Sequence, residues 1–347
     1  MSMQRPIMNP TWMDLEVQPV KRTWWDRLRP LRRVMRFAGK ILLWDPLTRT
    51  RFRGLRIEDG TPWERFCRGL LYRLTFIPVF VALTIAALVY AGTHPRQNTA
   101  EIDPNSQGIY YEPVTLRTDD GVRLEAWLVP VLEADQVLRE KEMALRTSHP
   151  AVLLVHDYGQ DRQQMLPLVK PLHEAGFVVM AVAMRGCGQS EARSSTFGLL
   201  EENDVKAAIS VLRKRNFVDP KKLAVIGVGA GANAALLAAD DDASVKALVL
   251  DHPEASGNQV LDARVSPKYA AFNWMKPMCK WAFELTYQVH ADDLDLSKYR
   301  DLMSSRKVLM LDDRRRPADF NLRTSKDICR FLSASLLPED VAALDRK

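Results

Sequence analysis

From Leu74 to Gly92 the chain reads LTFIPVFVALTIAALVYAG, nineteen residues without a charged side chain. A helix crossing the ~30 Å hydrocarbon core of a bilayer needs about 20 such residues. A buried helix of a soluble domain would usually show a polar face at this length; this run shows none. It is expected to form a transmembrane helix, with Pro78 near its start, where a kink is tolerated in a span. The run begins more than seventy residues into the chain. That position and its length are those of a retained span rather than a cleaved signal peptide.

The net charge of +6 is unevenly placed. Residues 1–73 hold sixteen Lys+Arg against seven Asp+Glu, a net +9, which leaves −3 for the rest. Arg49, Arg51, Arg53, Arg56, Arg65, Arg68 and Arg73 precede the run, and only Arg96 and Arg117 follow it within 25 residues. The positive-inside rule then puts residues 1–73 in the cytoplasm and everything after about 93 outside, which is the periplasm in a bacterium. Within 23–44, Trp24, Leu28, Leu31, Met35, Ala38 and Leu42 recur at spacings of three or four, with Arg27, Arg32, Arg33, Arg36 and Lys40 between them. That pattern fits an interfacial amphipathic helix starting near Pro30. A loose basic flank that only sets topology fits the same charges, and both readings stand. Nucleic acid is not an expected partner, because the basic run abuts a span. Cys67, Cys187, Cys279 and Cys329 form neither a disulfide scaffold nor a metal-ligand spacing. No metal is expected.

After a polar segment at 93–109, expected as a linker, Val114–Thr118 and Val122–Val129 flank Asp119-Asp120-Gly121, a hairpin signal with alternation on both sides. A charged helical stretch covers about 132–147. Short apolar runs then alternate with helical patterns: Ala151–Val155, Phe177–Val182, Leu223–Ile226, Val245–Leu250 and Val308–Leu311, separated by helices over 161–175, 199–215 and 230–239 and followed by one over 324–336. Continuous aliphatic strands between helices mean a mostly parallel sheet covered on both faces. The fold class is α/β. The expected organisation is a basic region at 1–73, a span at 74–92, the linker, an α/β domain at 110–336 and a tail at 337–347.

Within that domain the motifs resemble those of an α/β-hydrolase, in the serine-aminopeptidase and acyl-hydrolase branch. Val152-Leu153-Leu154-Val155-His156 resembles the strand ending in His-Gly at the oxyanion loop. Arg185-Gly186-Cys187-Gly188-Gln189-Ser190 resembles the Arg-Gly-x-Gly-x-Ser turn, and Glu201 and Asp204 resemble the acidic residues opening the next helix. Val225-Ile226-Gly227-Val228-Gly229-Ala230-Gly231 stands at the strand, nucleophile elbow and helix. Val245 to Pro253 resembles the following strand and its exit. The resemblance implies a hydrolase built on Ser, acid and His in that chain order.

The residues that would do that chemistry are missing. Gly229 stands where the nucleophile belongs. Arg315 or Arg316 stands where the resemblance puts the acid; Asp312 and Asp313 come too early, and Asp251 is an alternative acid whose ordinary role is to end its strand. None of His94, His149, His156, His173, His252 and His290 follows the 307–311 strand, where the base belongs. The 36 residues after Leu311 are too few for the family's usual closing elements. Asp157 replaces the oxyanion-loop glycine and puts a negative charge where one should be stabilised. His156 reads as structural.

Two rival readings use the same residues. Cys187 is a nucleophile only with a base or cation beside it, and it otherwise reads as a small turn residue. Gly227-x-Gly229-x-x-Ala232, with Asp251 about 24 residues after Gly227, fits a dinucleotide-binding fingerprint. That fingerprint normally opens its domain, whereas hydrolase-like motifs precede it here. The expectation is a single-pass membrane protein carrying a non-catalytic hydrolase-like binding or assembly module without a cofactor. Its partners would be the membrane and a membrane or periplasmic protein. A residual hydrolase using unassigned residues is the alternative.

Overall fold

The computed structural model describes residues 62–95, 102–131, 148–191, 194–311 and 316–337. The amphipathic pattern at 23–44, the charged stretch at 132–147, Asp312, Asp313 and Arg315 lie outside these residues. The chain divides into two compact units, Met1–Leu83 and Thr84–Lys347. Their boundary falls inside helix α1 (Pro62–Thr93), which contains the uncharged run. At 1.5 Å per residue its 32 residues extend about 48 Å. The window Phe76–Thr93 is long and apolar enough to cross a membrane, and only 22% of it is buried.

The second unit is built on a seven-stranded sheet in the order β1-β2-β4-β3-β5-β6-β7. Its strands are β1 (Glu112–Arg117), β2 (Arg123–Val129), β3 (His149–Val155), β4 (Val178–Ala183), β5 (Val218–Val228), β6 (Val245–Asp251) and β7 (Lys307–Met310). β2 runs antiparallel to β1 and β4; the other neighbours are parallel. Side chains alternate between faces in a strand, so each central aliphatic run supplies two cores. Leu153, Met180, Val225 and Leu248 face helices α3 (Glu202–Arg213) and α4 (Ala230–Asp241), meeting Val205, Ile209, Leu212 and Ala235. Val152, Leu154, Val179, Ile226 and Val249 meet Leu168 and Leu172 of α2 (Leu166–Glu174) and Ile328 and Leu332 of α8 (Leu322–Leu336). Burial on both faces is why these strands read as unbroken Val/Leu/Ile runs.

Between β6 and β7 lie α5 (Gly257–Arg264), α6 (Lys276–Tyr287) and the short α7 (Arg300–Ser305), none of which the alternation of runs announced. Part of the expected linker is structured. Pro104–Gln107 form a 3-10 turn anchored by Gln107 on the Leu166 carbonyl, and Pro104 and Ile109 are buried. Among the described residues no strand follows β7.

The chain enters β4 by way of α2 and returns to β5 on the far side of β3, so the winding changes direction between β3 and β5. In open α/β sheets such a switch point, at the carboxyl ends of the strands, is where ligands bind. The edge is stabilised from behind by a buried ion cluster. The Arg185 guanidinium donates to Asp204 at 2.9 and 2.7 Å, and the Arg185 N–H donates to the same carboxylate at 2.8 Å. Its remaining edge reaches Asp120 of the β1–β2 turn at 2.7 Å. Replacing one partner of a buried pair strands the other charge, at a cost of roughly 3–5 kcal/mol. Arg185→Met is therefore expected to lower the unfolding free energy by about that much, and Asp204→Leu in the same chain to recover most of it, both read by urea denaturation.

Candidate functional site

The turn from β5 into α4 places Gly229 at φ 53° and ψ −118°, in the sharp geometry of a nucleophile elbow. Few residues but glycine adopt that backbone cheaply. Here glycine is required twice over. A Cβ on Gly229 would come within 3.0 Å of all three atoms of the Asp157 carboxylate. Gly231 is equally constrained, since its Cβ would fall on the carbonyls of Val155 and His156.

Asp157 enters the turn from the loop after β3. Its Oδ1 accepts the Ala230 N–H at 3.0 Å and the Tyr158 N–H at 2.7 Å. The Ala230 amide follows the nucleophile position, the place of an oxyanion-hole donor in a hydrolase elbow. It is also the first amide of α4, where a negative charge is favoured. A side-chain carboxylate thus sits where both the nucleophile and the developing oxyanion would be. The same amide is where a pyrophosphate would sit if Gly227, Gly229 and Ala232 formed a dinucleotide site, so that ligand would meet the Asp157 charge. The loop itself is held by Gln164, whose Oε1 accepts the Asp157 N–H at 2.8 Å.

His156 is fully buried and spends both ring nitrogens on the backbone. Nδ1 lies 2.8 Å from the Asp157 carbonyl, and Nε2 lies 3.0 Å from the Met184 N–H. Those partners assign a neutral ring with the proton on Nδ1, and burial pushes its pKa below 6.5. It pins the loop in place and offers no nitrogen for a base.

The histidine that sequence reasoning passed over is His252. It follows β6 with a left-handed φ of 52°, and its Nδ1 lies 2.6 Å from Oδ1 of the buried Asp251. The other Asp251 oxygen accepts the Ala318 N–H at 2.8 Å, and its backbone carbonyl accepts the Gly229 N–H at 2.9 Å. Strand register brings this pair to the elbow, Val228 being the partner of Asp251. A carboxylate-bound imidazole is the orienting half of a catalytic triad. The only sequence signal for it was the adjacency of Asp251 and His252, which keep the expected order of acid then His but stand after β6 rather than after β7. Asp251 therefore does more than end its strand. Arg316 is exposed. Glu254, two residues beyond His252, is half-buried and donates its N–H to Asn233. Burial pushes its carboxyl up; Arg264 opposes that and the Asp157 charge adds to it.

The other motif residues brace the loops. Ser190 accepts the Glu125 N–H at 3.0 Å and donates to the Ala183 carbonyl at 2.7 Å. Glu201 gathers the N–H groups of Thr196 and Gly198, both at 2.9 Å, and the hydroxyls of Ser195 and Thr196. Cys187 is buried, and its thiol is pushed up to about 12, first by burial and then by the charges of Glu201 and Asp161. The thiolate is the reactive form, so native Cys187 is expected to escape iodoacetamide at pH 8.5 and to react once urea unfolds the chain. Mass spectrometry of the peptides decides; rapid labelling of the native protein would return Cys187 to the candidates.

Seven strands with an antiparallel second strand, a glycine-rich elbow after β5 and a loop from β3 against it define the α/β-hydrolase fold, and this chain adopts it. Residues 146–307 match the serine aminopeptidase S33 family. The protein YfhR of Salmonella typhi is 30% identical over 165 residues, 44% of this chain and 53% of YfhR. The α/β-hydrolase domain-containing protein WAV2 of Arabidopsis thaliana is 28% identical over 178 residues, 50% of this chain and 53% of WAV2. The chain spans about half the length of these curated relatives. Among solved structures, the Pyrococcus furiosus esterase Pf2001 superposes with a TM-score of 0.51 at 18% identity, over 70% of this chain and 98% of the esterase. That likeness is one of fold.

Proposed function

We propose that this chain is a membrane-anchored α/β-hydrolase-fold protein that has left catalysis and works as a binding or assembly module. The observation that carries the reading is the Asp157 carboxylate on the Ala230 amide, in the space a nucleophile would need. An anion fixed there repels the negative charge that acyl transfer develops, and a preorganised donor for that charge is usually the largest catalytic contribution. The second reading, a residual hydrolase, rests on the Asp251–His252 pair, which supplies an oriented base without a side-chain nucleophile beside it at position 229.

Turnover of short-chain aryl esters by the purified full chain separates them. The wild type is expected to show no saturable hydrolysis above a blank, and Gly229→Ser alone is expected to stay inactive. That variant should also lose stability, by about 1–3 kcal/mol from the strained backbone alone and by more from the Asp157 clash. Adding Asp157→Gly should recover part of the loss, because the two sites share one space and so are not additive. Robust wild-type turnover, abolished by His252→Gln, would establish the residual hydrolase instead.

The anchoring half of the proposal is supported by α1, whose apolar window is only 22% buried, and by the arginines before it. With residues 1–73 inside and the hydrolase-like domain outside, a carboxyl-terminal alkaline phosphatase fusion in a bacterial host should be active and a carboxyl-terminal green fluorescent protein fusion dark. The reverse pattern would invert the topology and remove the periplasmic assignment.

A further inference from the structure

Helix α6 and the 3-10 turn leading into it, Ala270–Met275, are apolar on two faces. One face is a core face: Met275, Cys279 and Phe283 are buried, with Phe283 stacked on Phe197 at 6.1 Å. The other is in the open. Trp274, Met278, Trp281 and Leu285 are 56%, 42%, 65% and 62% exposed, and their spacings of four, three and four residues set them in one stripe. Tyr269 and Phe272 are exposed just before it. An amphipathic surface helix normally carries one apolar face towards the core and polar residues elsewhere; α6 carries a second apolar stripe between its core face and its charged face. Two exposed tryptophans in one such stripe are the composition of a surface that meets something apolar.

What it meets is indicated by where α6 ends. Tyr287, in its last turn, shares a hydrogen bond of 2.7 Å with the Thr93 hydroxyl, the final residue of α1. The Thr93 carbonyl accepts the Ser195 N–H at 2.7 Å, the Gly92 carbonyl accepts the Tyr158 hydroxyl at 2.5 Å, and a Cβ on Gly92 would strike Arg264 and Val265 of the turn closing α5. The end of the apolar window is therefore fixed against the foot of α6. Leu285 lies within one turn of that foot, and Met278 about 10 Å further along the axis. Tyr90, exposed and stacked on His94 at 3.9 Å, adds an aromatic ring at the same exit. Tryptophan and tyrosine concentrate at membrane–water interfaces, where the ring meets apolar surroundings and its N–H or O–H stays wet.

We infer that the stripe Trp274, Met278, Trp281 and Leu285 is a lipid-docking face, which lays α6 in the outer headgroup region beside the exit of the span. This rests on α1 crossing the bilayer. The cations on the same helix are already committed: Lys276 pairs with Asp262 at 2.8 Å, and Lys280 with Asp292 at 2.9 Å. The attraction is thus of apolar area and indole rings, and a zwitterionic surface serves as well as an anionic one.

Site-directed nitroxide labels on the full chain test it. The background carries Cys67→Ser and Cys329→Ala; Cys187 and Cys279 are buried. Labels go on Trp281→Cys and Leu285→Cys in the stripe, Leu83→Cys in the span, and Lys326→Cys on α8, an exposed site outside it. The protein is placed at one copy per nanodisc of phosphatidylcholine, and collision with oxygen is compared with collision with a water-soluble nickel chelate. The expected result is an oxygen-to-nickel ratio several-fold higher at 281 and 285 than at 326, unchanged when phosphatidylglycerol is added. Water-like labels at 281 and 285 with a lipid-like label at 83 would overturn the docking face and leave the span standing. A water-like label at 83 would overturn the span and the docking face with it. Lipid-like stripe labels found only at two copies per disc would mean that a second copy covers the stripe, which also overturns lipid docking.

Discussion

At the carboxyl ends of β3 and β5 one carboxylate, that of Asp157, accepts the amides of Ala230 and Tyr158 while its own N–H goes to Gln164. This arrangement ties the first turn of α4 to the loop after β3, and with it the two strands between which the sheet changes winding direction. A side-chain acceptor on a helix's first amides contributes about 0.5–2 kcal/mol. In a hydrolase that amide stays open for a passing oxyanion; here the chain fills it permanently. The absent nucleophile and the altered oxyanion loop, which look like separate losses in the sequence, are one packing event.

The motifs around that site persist for a different reason. Arg185 is bonded to Asp204 and Asp120, Ser190 joins β2 to the end of β4, and Glu201 collects two amides and two hydroxyls. None of these contacts involves a reacting atom. They hold buried polar groups whose partners cannot be removed without leaving a charge or an amide unpaired, a cost of roughly 1–3 kcal/mol even for a neutral group. Such residues serve the fold whatever the elbow carries, and they account for the hydrolase-like motifs without reference to chemistry.

The sheet was legible because its signal is local. Every aliphatic run read as a strand became one, since burial on both faces imprints itself on consecutive residues, and the charge-free run lies inside a helix. The segment between β6 and β7 was not legible. α6 carries apolar residues on two faces for two different surroundings, so no single periodicity stands out. The Asp157–Gly229 contact joins residues 72 positions apart in sequence, and only the parallel register of β3 and β5 brings them together. The loop's departure was visible; the filling of the elbow was not. His252 was hidden for a third reason: the base was expected after β7, whereas this one follows β6 beside the aspartate that orients it, on a left-handed residue.

The left-handed backbone at Gly229 has a consequence for how such an elbow can change. A side chain at position 229 must displace the Asp157 carboxylate from its amides, whereas Asp157 can be shortened first at the loss of one helix cap. The route between this elbow and a serine elbow is therefore ordered, with position 157 changing before position 229 on the way to serine and after it on the way back. A first substitution at position 229 bears the strained backbone and the displaced carboxylate together, so the filled elbow makes the order of two changes matter as much as the changes themselves.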